Sequence, residues 1–273
     1  MDAKYKITGF LSMLTAVILI TGCIGGGEKK ETLSIAGSTT VQPIASKAAE
    51  VYMGKHSDAI ISVQGGGSGT GIKMVAEGSA DIGCASREVK ESEKTKYPNL
   101  KPYAVAGDGI AVVVHPKNAL GSLSKEQIKD IFAGKITNFR EVGGSDKEIM
   151  VIIREEGSGT RATFEELVMD EEENAADALQ KPSNGAVKAA VSVNENAVGY
   201  IGLGYVDGTV NALKTDGVEP CPETIKSGAY PISRKLYMIT DGEATGLEKK
   251  FIDFIWSEEG QGIVEEEGFI KIK

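Results

Sequence analysis

Histidine is nearly missing from this chain: His56 and His115 are the two in 273 residues. A hydrolase that relies on an imidazole base therefore has little to draw on. His56 follows a helical pattern and His115 precedes Pro116 at the end of an apolar run, so both read as bystanders. Cysteine is scarce as well, at Cys23, Cys84 and Cys221. No His/Cys grouping has the spacing of a metal site, so neither a metal nor a cofactor is expected. The formal charge is −9 without any basic cluster. Nucleic acid is excluded as a partner, because binding its backbone needs a positive footprint. An acidic chain also cannot gather an anion from a distance, so any anionic ligand must be held by local donors.

A long hydrophobic run is absent too. The apolar stretch 7–20 is shorter than the ~20 residues a helix needs to cross a bilayer. With Lys4 and Lys6 ahead of it and Leu19-Ile20-Thr21-Gly22-Cys23 behind it, it reads as a signal peptide over 1–22. The small pair before the cysteine resembles the lipobox of secreted lipoproteins. Cys23 is then expected to be lipidated and to anchor the protein to the outer face of the cell membrane. Residues 23–31 follow as a polar, glycine-rich tether.

What the chain does have is glycine, 34 residues of it, with 25% charged residues and 6% aromatics, a balance that suits a loop-rich α/β protein. The glycines gather at three junctions. Val151-Ile152-Ile153-Arg154 reads as a buried strand, Glu155-Glu156-Gly157-Ser158-Gly159-Thr160 as a polar turn, and Phe164, Leu167 and Val168 as helical spacing. Leu33-Ser34-Ile35-Ala36 leads through Gly37-Ser38-Thr39-Thr40 into an amphipathic pattern at Val41, Ile44, Ala45, Ala48, Val51 and Tyr52. Ala59-Ile60-Ile61-Ser62-Val63 leads through Gly65-Gly66-Gly67-Ser68-Gly69-Thr70-Gly71 into Ile72-Lys73-Met74-Val75.

A helix start presents unpaired N–H groups and the positive end of the dipole to an anion. Any one such junction reads as an ordinary capped turn. Three in one chain, one of them with an arginine four residues before its serine, point to convergence on a small anion. Arg154 supplies a fixed charge with a planar donor fork, and Ser158 and Thr160 supply hydroxyls.

Elsewhere strands and helices keep alternating, which predicts α/β sheets with helices on their faces. Strands are expected at 81–85, 101–106, 110–114, 197–202 and 235–239, with a break at Gly107-Asp108-Gly109. Helices are expected after the capping box at Ser124, from Ala186 to Val191, and over Leu247–Ile255. The expected division is a first lobe from 32–108 and 233–273 and a second lobe from 109–232, with two extended crossings between them as the hinge. Cys84 and Cys221 fall in different lobes and are expected to be separate buried thiols.

Known catalytic motifs fail on particular residues. Gly66 to Gly71 has P-loop spacing, but Ile72 stands where lysine is required. Gly66-Gly67-Ser68-Gly69-Thr70 lacks the last glycine of a nucleophile elbow. Dispersed aspartates and glutamates read as solvated surface.

Taken together, these blocks resemble the phosphate-binding proteins of ABC-type phosphate importers. The likeness runs from about residue 32 to the end. It rests on Gly37–Pro43, Gln64–Gly71, Asp81–Arg87 and Arg154–Arg161, with support from Ile131–Phe139 and Val198–Gly202. The resemblance implies a type II periplasmic-binding-protein-like fold, two α/β lobes joined by a two-stranded hinge, with inorganic phosphate in the cleft between them. It implies no catalysis, a monomer, and ABC transporter permease subunits as partners. Ser38, Thr39, Thr40 and Ser68 match the first lobe's donors, and Arg154, Ser158, Gly159 and Thr160 those of the other. Well-studied members place an aspartate after the Ala-Ser of the third block to accept the proton of monohydrogen phosphate. Here Arg87 follows Ser86, so the acceptor is unassigned; Ser86 is the better contact, and Arg87 is either a second cation or a surface residue. That departure keeps sulfate, molybdate and tungstate open as alternatives, with a secreted phosphatase using Ser158 or Thr160 as the rival of a different class.

Overall fold

The computed structural model describes residues 30–272, so the signal peptide and Cys23 lie outside the described residues. Strand β1 (Glu31–Gly37) turns into α1 (Gln42–Lys55), followed by β2 (Ala59–Gly65), α2 (Ser68–Ala76), β3 (Ile82–Ala85) and α3 (Glu91–Lys96). The long strand β4 (Leu100–Val114) carries the chain into a second half. There β5 (Ser122–Leu123), α4 (Lys125–Phe132), β6 (Met150–Arg154), α5 (Gly159–Phe164), β7 (Leu179–Lys181), α6 (Asn184–Ser192) and β8 (Ala197–Gly202) follow in turn. Short strands β9 (Asn211–Ala212) and β10 (Lys214–Thr215) and helix α7 (Pro222–Lys226) close that half. Strand β11 (Ser233–Asp241) returns to the first, and α8 (Gly246–Trp256) and α9 (Glu258–Glu266) end the path.

The main sheet runs β2-β1-β3-β11-β4-β8-β6-β7, with β9 paired to β4 off that path. Strand β1 is parallel to both β2 and β3, as βα crossovers require. Strand β11 is antiparallel to β3 and β4. Strand β4 spends residues 100–109 against β11 and residues 110–114 against β8, so a single strand serves both halves. The apolar side chains divide accordingly. One cluster gathers Ile35, Ile44, Tyr52, Phe251 and Ile255; another gathers Val112, Phe132, Phe139, Phe164 and Tyr200. Each fully buried side chain of this kind contributes about 1.5–3 kcal/mol, so each half has its own core and the polar seam between them is not what holds either together.

Five sequence expectations are corrected. Gly107-Asp108-Gly109 does not break the strand. A Cβ at Gly109 would lie 2.4 Å from Ile225 Cδ1, and one at Gly107 3.2 Å from Ile270 Cβ, so these glycines admit close neighbours rather than make a turn. Helix α2 starts at Ser68, four residues earlier than its apolar spacing suggests. The helix after Gly159 gives way after Phe164 to a π-helical turn over Glu165–Met169. Helix α9 was not expected, because Gly260 and Gly262 disguise it; Gly260 sits where a Cβ would be 2.2 Å from Phe254 O. Glu31, placed in the tether, is the first residue of β1.

Candidate functional site

The turns singled out in the sequence meet at the seam. Ser38, Thr39 and Thr40 form the β1–α1 turn, Ser68 opens α2, and Ser86 and Arg87 follow β3. From the other half, Arg154 ends β6, Ser158 caps α5, and Gly159 and Thr160 form its first turn. All ten are at most 8% exposed or classed as buried. The β1–α1 turn can come this close to its neighbours because Gly37 has φ +132° and no side chain; a Cβ there would lie 2.4 Å from Cys84 O.

Hydrogen bonds stitch the halves directly. Thr40 Oγ1 and Thr160 Oγ1 are 3.1 Å apart. Gly69 N donates to Gly157 O at 2.9 Å, and Thr163 Oγ1 donates to Ser86 O at 3.4 Å. Tyr205 OH donates to Thr39 O. On the first half's side, Ser68 Oγ accepts from Ser86 N at 3.0 Å. Facing them, Gly159 is packed so tightly that a Cβ would be 2.3 Å from Ser68 Oγ and 2.6 Å from Ser86 Oγ. The N–H groups of Gly159 and Thr160 have no carbonyl a turn behind them to serve, as at any helix start, and Ser158 Oγ takes the next one, Arg161 N, at 3.2 Å.

Arg154 is 1% exposed. Its Nε and Nη2 donate to the two carboxylate oxygens of Glu155 at 3.0 and 2.8 Å, and to the carbonyls of Lys181 and Pro182 at 3.2 and 3.3 Å. Its Nη1 is buried and has no partner among the described residues. Its backbone is fixed from behind by Tyr200, whose hydroxyl accepts Arg154 N at 3.3 Å and whose ring stacks on Phe164 at 4.1 Å. Burial pushes the Tyr200 phenol well above its ordinary range, so it stays neutral and serves as a prop.

Not every expected residue faces the seam's donors. Ser38 is turned inward, its N–H on Cys84 O at 2.9 Å and its Oγ accepting Thr40 N at 3.2 Å. Arg87 is no surface residue: it is 8% exposed and its Nη1 and Nη2 grip the Glu93 carboxylate at 2.7 Å each. It lines a cleft of about 360 Å³ with Lys90, Glu156, Ser158, Arg161 and Glu165, where Glu165 pairs with Arg161 as Glu93 pairs with Arg87. A larger cleft of about 540 Å³ at Glu171, Glu172 and Glu173 is acidic and unsuited to an anion. Cys84 and Cys221 are both unpaired, but Cys221 is half-buried at the start of α7 rather than fully enclosed. Burial pushes the Cys84 thiol up to about 12, which leaves it inert. His56 stacks on Tyr52 at 4.2 Å, and His115 Nδ1 accepts Lys117 N at 3.1 Å, both away from the seam.

Three residues at the site were not anticipated. Asn184 is fully buried and donates from Nδ2 to Thr40 Oγ1 at 2.9 Å and Thr39 Oγ1 at 3.4 Å, while its Oδ1 accepts Gly202 N at 3.2 Å. Its signal was present, since Ser183 caps the helix it opens. Asp108 and Arg234 form a fully buried ion pair beside Thr40, at 2.7 Å. No local pattern marks either one.

Two α/β halves sharing β4, with directed donors and a buried guanidinium between them, define a solute-binding protein. A family model described as a PBP superfamily domain matches residues 25–259. Phosphate-binding protein PstS of Bacillus subtilis is 36% identical over 285 residues, covering 98% of this chain and 95% of the relative. A crystal structure with bound phosphate, of a phosphate ABC transporter substrate-binding protein from Clostridium perfringens, is 44% identical with a TM-score of 0.86, covering 89% of this chain and 100% of the other. An ABC-type phosphate transport receptor from Vibrio cholerae is 36% identical with a TM-score of 0.73, covering 87% and 99%. The chain belongs to the PBP superfamily and, within it, to the family of the PstS phosphate-binding proteins.

Proposed function

We propose that this protein captures inorganic phosphate outside the cytoplasm and delivers it to the permease of an ABC-type importer, without chemical change to the phosphate. The observation that carries the reading is Arg154: a guanidinium held rigid by Glu155 and two carbonyls, buried, with Nη1 unspent. Burying a charged donor without an acceptor is costly, and a tetrahedral anion supplies the acceptor. Thr39, Thr40, Ser68, Ser86, Ser158, Gly159 and Thr160 complete the proposed set, with Ser38 shaping the turn and Arg87 bracing the loop after β3 through Glu93. Residues 32–108 with 233–273, and 109–232, are the two lobes in this reading, and a ligand touching both favours the closed state that a transporter recognises. Lipidation at Cys23 holds the monomer at the membrane.

The hydroxyls of the site bond to other hydroxyls and N–H groups rather than to an imidazole or a carboxylate, which supports binding over phosphatase chemistry. Titration calorimetry of the mature protein with phosphate, and with sulfate, molybdate and tungstate as competitors across pH, tests the reading. Phosphate is expected to bind with micromolar or tighter affinity, about −8 kcal/mol or better, and a competitor that binds more tightly would reassign the ligand. A chromogenic phosphoester is expected to remain intact.

A further inference from the structure

We propose that Arg234, on the crossing strand β11, is a second guanidinium that holds the phosphate; this rests on the function proposed above. Arg234 and Asp108 face one another in register on the paired strands β11 and β4. Nε and Nη2 of Arg234 donate to Asp108 Oδ2 at 2.9 and 2.7 Å, and Nη2 also reaches Thr40 Oγ1 at 3.3 Å. Asp108 is spent elsewhere as well, its Oδ1 accepting Leu203 N at 3.0 Å. Arg234 Nη1 remains, buried and without a partner among the described residues.

Arg154 and Arg234 thus repeat one pattern. In each, the Nε/Nη2 fork is closed by a carboxylate and Nη1 is buried and left over. They come from opposite halves; burial above all, with a lesser contribution from the charge of Arg154, disfavours the charged form of Arg234 and outweighs the support of Asp108. Thr40, bonded to Arg234, also bonds to Thr160 and Asn184 of the half that carries Arg154. Two like charges enclosed together are tolerable when an anion lies between them. The carboxylates behind each guanidinium fix its orientation, so the free N–H ends are set before the ligand arrives.

A purely structural reading makes Asp108–Arg234 a hinge clamp. Such a clamp needs donors for Asp108 and Thr40, which the three N–H groups of a lysine ammonium provide. It gives no reason for an extra nitrogen stranded in a water-poor interior. Lysine also lacks the rigid fork that places a second donor sideways. Arg234→Lys therefore separates the two roles, keeping the clamp and removing the leftover donor.

Titration calorimetry with inorganic phosphate is run on the full mature chain, wild type and Arg234→Lys, together with a crystal structure of the wild type grown with phosphate. The expected result is a folded R234K protein whose affinity is at least 30-fold weaker, and a wild-type complex with Arg234 Nη1 at hydrogen-bond distance, about 2.7–3.2 Å, from a phosphate oxygen. Binding by R234K within threefold of wild type overturns the proposal. If R234K does not fold, the wild-type complex decides: Nη1 turned away from the phosphate overturns the proposal, and Nη1 on an oxygen supports it. Failure of the wild type to bind phosphate is a separate outcome, which removes the proposed function itself.

Discussion

Arg87 and Arg154 make an instructive pair. Both are buried arginines gripped by a carboxylate through two N–H groups. Arg87 spends both terminal nitrogens on the protein, with Nη1 shared between Glu93 and the Glu88 carbonyl. Arg154 leaves Nη1 unspent among the described residues. The lesson is that burial and charge do not distinguish a ligand-binding arginine from a structural one. What distinguishes them is whether the donors balance.

The sharpest way to break this comparison is to remove Arg154. A charge-assisted hydrogen bond contributes on the order of 1.5–3 kcal/mol, and Arg154→Ala removes the charge as well as the donor. We expect phosphate affinity to fall more than 100-fold by calorimetry, with the circular dichroism spectrum retained. Near-wild-type binding by that variant would dissolve the contrast with Arg87.

Next in size is Gly159→Ala. The added Cβ would meet two hydroxyls of the opposite half at 2.3 and 2.6 Å, so it obstructs closure while leaving both cores untouched. We expect at least a tenfold loss of phosphate affinity, little change in thermal midpoint, and no compaction in small-angle scattering on adding phosphate. Normal compaction would mean that the seam relaxes around the methyl group. Thr40→Val keeps the shape and deletes a hydroxyl shared with Thr160, Asn184 and Arg234. The bonds to Thr160 and Asn184 are neutral and worth about 1 kcal/mol each, and the one from Arg234 is long at 3.3 Å, so a loss of roughly five- to tenfold is expected, smaller than that of either variant above. A loss as large as that of Arg154→Ala would make Thr40, not the guanidinium, the dominant contact.

How much of this could be read from the chain follows from the range of each signal. Arg154, Ser158, Gly159 and Thr160 are legible because strand, turn and helix start are contiguous, and their chemistry is local. Ser68 and Thr40 are legible for the same reason, although nothing in their spacing says that Thr40 meets Thr160, 120 positions away. Asn184 carries a local signal, since Ser183 caps the helix it opens, but the small-residue run that marks this helix begins only at Ala186. Asp108 was hidden by its flanking glycines, which look like a turn and instead admit Ile270 and Ile225. Arg234 has no local context at all, since its meaning comes from cross-strand register with Asp108. The alternation of strands and helices survives translation into the fold because it depends on burial period alone; the continuity of β4 does not, because it depends on neighbours far along the chain.

The smallest effect tests the other side of the comparison, the claim that Arg87 is a structural arginine. Burial on its own would raise the Glu93 carboxyl, but hydrogen bonds from the Arg87 side chain and Lys90 N, with the charge of Arg87, outweigh it and hold Glu93 below its ordinary 4.5. A carboxyl lowered in the folded state contributes stability that is fully present above the unfolded value. That stability is lost as the pH falls through the folded value. Glu93→Gln should therefore be less stable than wild type at pH 7, with the gap closing on acidification below about pH 4; thermal melts across that range measure it. Phosphate affinity at pH 7 should stay within threefold, because Arg87 released from Glu93 still has the Glu88 carbonyl and no required place on the ligand. A tenfold change in affinity, in either direction, would move Arg87 out of the scaffold and into the binding set, and the balance of donors would no longer separate the two arginines.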